Sequence, residues 1–168
     1  MGRYRVYILF IAMAMLAACA NPALDNRNTQ SANSSPSISN SNTAQADNPL
    51  LKEVNAGNLE GVRQMIQDGA NVNSTNESGV TPLMNASGMG YKEIVQLLLD
   101  KGANVNARTS GNYTALMQAA LVGQTEIVKI LLAAGADPTV KDVGGKTAQT
   151  YAEGGKHKEI VDLLKNKK

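Results

Sequence analysis

The chain has one cysteine, one histidine, one phenylalanine and no tryptophan in 168 residues. With Cys19 alone, no intramolecular disulfide can form, so the fold must rest on packing and hydrogen bonds. With His157 as the sole imidazole and no second thiol, the ligand sets of a protein zinc site are missing. The same scarcity excludes a Ser-His-Asp arrangement, because nothing evident orients His157. Aromatic residues are only 4% of the chain, so small and aliphatic side chains must carry the core, as closely stacked helices require. Excess charge is also missing. The formal net charge is +2, and setting aside Arg3 and Arg5 leaves 14 basic and 14 acidic residues. That balance provides no basic stripe for nucleic acid.

A long apolar run is absent as well. Val6 to Met15 is almost wholly apolar but falls short of the roughly 20 residues that span a bilayer comfortably. Arg3 and Arg5 precede it and Leu16-Ala17-Ala18-Cys19 follows, the layout of a secretory signal peptide over residues 1–18. The LAAC sequence resembles the lipobox of bacterial lipoproteins. That resemblance implies a diacylglycerol on the Cys19 thiol, cleavage just before it and a membrane anchor made of several acyl chains, an attachment that is effectively permanent. Ala20 stands where an Asp commonly retains such proteins in the inner membrane, so the expected location is the outer membrane, facing the periplasm.

Residues 19–46 follow, rich in Asn, Ser, Gln, Thr, Ala and Pro, with Leu24 and Ile38 as the only large aliphatics. Such a segment buries too little apolar surface to offset chain entropy, and it is expected to be a disordered leash. As a flexible coil of about 27 residues it would span roughly 25–30 Å. The sequons at Asn33 and Asn112 read as chance in a bacterial chain.

From residue 47 the sequence repeats. Val80 to Asn112 returns immediately as Tyr113 to Gly145, a further copy begins at Lys146, and a worn one occupies 47–79. Within the Val80 copy, Thr81 can cap a helix whose first position is Pro82, and Leu83, Ala86 and Ser87 share one side of it. Gly90 interrupts. Glu93 to Asp100 then carries Ile94, Val95, Leu97, Leu98 and Leu99 on a wide apolar face, and Gly102 closes that second helix. Asn104 to Tyr113 reads as an extended connection with a turn at Ser110-Gly111-Asn112. The register persists: Thr81, Thr114 and Thr147 correspond, as do Gly69, Gly102 and Gly135, and Val62, Val95, Val128 and Val161 form one core column.

These residues, TPL at Thr81 to Leu83, the EIV and LLL segments at Glu93 to Leu99 and GANVNA at Gly102 to Ala107, resemble the ankyrin repeat. The expected fold is all-α: a solenoid of about four helix–turn–helix repeats (47–79, 80–112, 113–145, 146–168) joined by β-hairpin-like loops. The chain departs from the family pattern where His often follows TPL; here stand Leu51, Met84, Met117 and Thr150, so apolar packing should replace imidazole hydrogen bonds. Lys156 replaces the glycine seen at Gly57, Gly90 and Gly123, and Glu53 and Glu153 fall near positions of small residues, which suits terminal repeats with a polar side.

No catalytic constellation emerges. Gly145-Lys146-Thr147 looks like the end of a phosphate loop, but Val140 stands where its first glycine should be. No cofactor and no small-molecule substrate are expected. The likeness to ankyrin repeats implies protein partners, bound by the hairpin tips and the free side of the first helices. It places Asn76, Glu77 and Ser78 at one tip, Thr109, Ser110 and Asn112 at the next, and Lys141, Asp142 and Val143 at the last. On the helices it places Asn85, Met89, Gln118, Leu121, Val122 and Tyr151. The four apolar ones, Met89, Leu121, Val122 and Tyr151, occupy positions the repeat does not need for its core, so an exposed apolar strip is expected. A lipid-anchored interaction module in the cell envelope follows, as a scaffold or chaperone-like partner or as an immunity protein that blocks an incoming toxin. An enzyme is the rival class.

Overall fold

The computed structural model describes residues 48–166. The segments read above as a signal peptide and a leash, with Cys19 between them, lie outside the described residues. Within them are eight α-helices and no strand: α1 (Pro49–Asn55), α2 (Leu59–Gln67), α3 (Pro82–Met89), α4 (Lys92–Asp100), α5 (Ala115–Val122), α6 (Thr125–Ala133), α7 (Ala148–Gly154) and α8 (Lys158–Lys165). They form four pairs, and the all-α repeat solenoid read from the sequence is what the chain adopts.

Local chemistry sets each helix. The Thr81 hydroxyl oxygen accepts from the Met84 N–H at 3.3 Å, and Thr114 does the same for Met117. Asn48 starts α1 in their place, its carboxamide oxygen accepting from the Leu50 and Leu51 N–H groups. In α7, Thr147 and Thr150 complete a capping box. Thr150 is thus spent on a cap and stays exposed, whereas Leu51, Met84 and Met117 at the same repeat position are buried. Gly90 and Gly123 close α3 and α5 at φ 82° and 89°, a conformation that costs glycine little.

The odd-numbered helices pack on one another in sequence, and the even-numbered helices form a second layer beside them. Between the layers runs one core, with Leu50, Leu83, Leu116, Val62, Val95, Val128, Leu98 and Leu131 at 1% exposure or less. Val161, the fourth member of the valine column, is only half-buried. Ser87 is buried too and stays satisfied by donating to the Leu83 carbonyl at 2.6 Å.

Two devices join neighbouring pairs. One is an asparagine ladder. The Asn73 side chain donates to the Gly102 carbonyl and accepts from the Asn104 N–H; one repeat on, Asn106 does likewise with Gly135 and Asp137. The other is a plug. The residue that opens each second helix leans on the left-handed glycine of the pair before it: Tyr91 on Gly57, Gln124 on Gly90 and His157 on Gly123. A Cβ on Gly123 would stand 2.5 Å from His157 Cε1, so only hydrogen fits there. His157 is also within 3.2 Å of the Leu121 carbonyl through Nε2. Its role is therefore that of a half-buried joint between pairs.

Leu98→Ala and Leu131→Ala should each lower stability by about 2–5 kcal/mol, because each opens a cavity in a fully buried layer. Ser110→Ala, at an exposed tip, should stay within about 0.5 kcal/mol. Urea melts of the three variants check this ranking; a Ser110 variant as damaging as the leucine variants would refute it.

Candidate functional site

The repeat exposes two kinds of surface that its own stacking leaves free: the ends of the first helices and the tips of the loops. At the tips, one residue of each loop closes the turn. The Asn76 side-chain oxygen accepts from the Ser78 and Val80 N–H groups, and Thr109 Oγ1 accepts from the Tyr113 N–H. Asp142 Oδ1 accepts from the Gly144 and Lys146 N–H groups at 2.9 and 2.8 Å. Successive tips are tied by backbone bonds, Ser110 N–H to the Ser78 carbonyl and Val143 N–H to the Gly111 carbonyl. Asn112 holds φ 60° at the position that Gly79 and Gly145 fill in the other tips, a conformation asparagine tolerates better than most residues. The tips are thus a pre-ordered row.

On the first helices, Met89 is 48% exposed, Leu121 43% and Val122 46%. Met89 and Val122 are one repeat apart at the C-terminal ends of α3 and α5, which pack side by side. Val143 at the last tip is 81% exposed. Between helices, polar side chains fill the surface. Asn85 donates to Asn55 at 2.8 Å, and the Gln118 chain lies so close to Gly88 that a Cβ there would stand 2.7 Å from its Cγ.

Tyr151 differs from the other apolar candidates. It is half-buried and packs against the core, with its ring edge-on to Tyr113 at 5.2 Å between centroids. Its hydroxyl donates to Asp142 Oδ2 at 2.5 Å, fastening α7 to the last tip. The expectation that the fold does not need Tyr151 is therefore corrected: a polar tip on a flat ring lets one side chain pack inward and hold a loop at once. Asp142 is engaged in the same clasp. Nothing periodic in the sequence announces this pairing, and only the Asp142–Tyr151 separation of nine residues hints at it.

The clasp shifts both partners. The hydrogen bond to Asp142, with smaller contributions from burial and from the Asp142 charge, pushes the Tyr151 phenol up to about 12. Tyr151, and behind it the Lys146 and Gly144 backbone N–H groups, hold the Asp142 carboxyl below its ordinary range. The sign follows for each. The raised phenol stabilises the fold at pH below its ordinary 10.0, and that contribution fades as pH climbs through about 12. The lowered carboxyl stabilises above its ordinary 3.8, and its share is lost as pH falls below that.

Chemistry beyond recognition is sparse. Among the described residues no group of three or more His, Cys, Asp or Glu side chains could hold a metal ion, and no helix is long and apolar enough to cross a membrane. A recess lined by Pro138, Thr139, Lys141, Thr147, Gln149 and Leu164 brings Lys141 together with neutral side chains only. On the even-numbered helices, Lys129 bridges Glu126 at 2.9 Å and Glu159 at 3.1 Å, an exposed link between two pairs.

Comparison with known families agrees with this architecture. A family model described as ankyrin repeats matches three times, over residues 14–109, 50–142 and 116–168. No match was found among the curated proteins.

Titration of tyrosinate absorbance should show one phenol ionising near pH 12 in the intact chain. In Asp142→Asn that phenol should fall toward its ordinary 10.0, because the acceptor loses its charge. An unchanged titration in the variant would show that Asp142 does not hold the phenol.

Proposed function

The chain belongs to the ankyrin-repeat proteins, a class of protein–protein interaction modules, and from that premise we propose that it is a non-enzymatic binding module held in a bacterial cell envelope by lipid on Cys19. The observation that carries the binding role is the group of exposed apolar side chains, Met89, Leu121 and Val122, on the neighbouring helices α3 and α5. Exposed apolar residues clustered on a rigid surface favour burial against a partner. The backbone there is ordered before any partner arrives, so binding forfeits little conformational entropy. Asn85 and Gln118, on the same helices, and Asn112, at a loop tip, add amide groups that donate and accept, which suits recognition of a polypeptide backbone. Asp142 and Tyr151 contribute by fixing the last tip.

The anchoring part of the proposal rests on residues 1–46. The basic start, the apolar run and LAAC at Leu16 to Cys19 support lipidation, and Ala20 supports the outer membrane, periplasmic side. A leash of the composition found at residues 20–46 would let an anchored module reach partners in the periplasm.

Two measurements test the two parts separately. Metabolic labelling with a fatty-acid analogue should mark the native chain and leave Cys19→Ser unlabelled and soluble; equal labelling of both would remove the anchor. For binding, Leu121→Ser combined with Val122→Ser should keep the native melting temperature within a few degrees, since neither side chain is buried. Capture of envelope proteins by this variant should weaken by about 2 kcal/mol or more, on the order of thirty-fold. Undiminished capture by the folded double variant would place the binding surface elsewhere.

A further inference from the structure

Four methionines lie among the described residues, and the fold treats them unequally. Met84 and Met117 share one repeat position on the first helices and are 3% and 1% exposed. Met65, on α2, is partly buried and packs against the core. Met89 closes α3 and is 48% exposed. Its neighbours in the chain are Gly88 and Gly90, so neither adjacent residue has a side chain to screen it. Gln118 and Gln124 of the next pair lean on those two glycines, yet the methionine between them keeps its access to water.

The other repeats fill the same place without sulfur. Val122 stands there one repeat on, 46% exposed, and Gly155 one repeat further. The fold therefore does not require a thioether at this position. What a thioether adds is chemistry: it is apolar, yet a mild two-electron oxidant converts it to a polar, chiral sulfoxide.

We propose that Met89 is an oxidation site in the apolar strip, converted to its sulfoxide by a peroxide ahead of the methionines of the core, and that the sulfoxide weakens the hold of the strip on its partner. The second part rests on the binding-module reading above. In the step, a sulfur lone pair attacks one peroxide oxygen, and the O–O bond breaks as the S–O bond forms. The transferred oxygen passes its hydrogen to the departing one, which leaves as water; sulfur gives up two electrons and the peroxide takes them. The new S–O dipole is well solvated in water, so covering it with a partner costs free energy unless the partner supplies a hydrogen-bond donor. Met84 and Met117 lie in close-packed layers that a peroxide reaches only when the helix pairs open. Sulfoxide reductases return the thioether, so the change at Met89 is reversible.

The site is tested by treating the full chain with hydrogen peroxide and mapping each methionine by mass spectrometry over time. Met89 should convert about tenfold or more faster than Met84 and Met117, with Met65 between them. In urea the four should react at similar rates, because the order comes from the fold. Similar rates in the folded chain, or Met84 or Met117 ahead of Met89, would overturn the site.

Capture of solubilised envelope proteins reads the consequence, with the peroxide removed before the extract is added. Each chain is compared with itself before and after treatment, so any effect of a substitution alone cancels. The native chain should lose capture about fivefold or more, and Met89→Val should show no further loss on treatment. Equal losses in both chains would assign the effect of oxidation to another residue. Full conversion at Met89 with capture intact would overturn the consequence and leave the module standing. Undiminished capture by Leu121→Ser with Val122→Ser would remove the strip as the binding surface and the consequence with it, whereas the order of oxidation is decided by the mapping alone.

Discussion

No helix pair in this chain can bury its own apolar faces. A pair such as α3–α4 presents Leu83, Ala86 and Leu98 to neighbours on either side, and these become dry only when another pair is stacked against them. Everything else depends on that stacking. Small side chains, Ala86, Ser87, Ala119 and Ala120, bring the first helices close, and each is essentially inaccessible to water. Hydrogen bonds then settle how one pair sits on the next. The asparagine ladder reaches from side chain to backbone across the first two interfaces, and the plugs at Tyr91, Gln124 and His157 fill the notches left by glycine at all three. Both devices work between nearest neighbours, so order is passed along the array one interface at a time.

The same arrangement separates structure from recognition. Stacking consumes the buried columns and leaves the loop tips and the ends of α3 and α5 under no packing demand. Those are the positions where Met89, Leu121, Val122 and Val143 stay exposed. Tyr151 shows where the separation is incomplete. It occupies a surface position of the repeat, yet it packs on Tyr113 and holds Asp142, so the last tip is braced by a residue that also borders the candidate surface. Rigidity at that border is useful to a binder, because it removes a conformational cost from association.

Most of the fold was legible because its causes are periodic. Thr81 and Thr114 as caps, Gly90 and Gly123 as stops, and the valines at Val62, Val95 and Val128 recur once per repeat, and a periodic cause leaves a periodic trace. The burial of Met84 and Met117 was legible for the same reason. The asparagine ladder carries a trace too, the Asn-Val-Asn sequence at Asn71 to Asn73 and again at Asn104 to Asn106, but its meaning depends on which carbonyl lies opposite, and that is settled only in three dimensions. The Asp142–Tyr151 clasp occurs once and breaks the period, so no copy points to it. The repeat puts His157 between two helices, but its contact with Gly123 emerges only from the fold. Of the candidate surface, the sequence marked the free positions, and the exposure of Met89, Leu121 and Val122 came from coordinates.

Joints that are alike from one interface to the next have a consequence for how such a chain can change length. A duplicate of the second repeat, residues 80–112, inserted beside the original, would bring its own glycine notch, its own plug and its own ladder asparagine. It would meet a matching half-joint on each side, and growth by copying therefore needs no new invention at the seams. Lys156 marks where this freedom stops. It takes up φ 61° in the place where Gly57, Gly90 and Gly123 offer an open notch. A copy added beyond it would find a lysine side chain where its plug should seat.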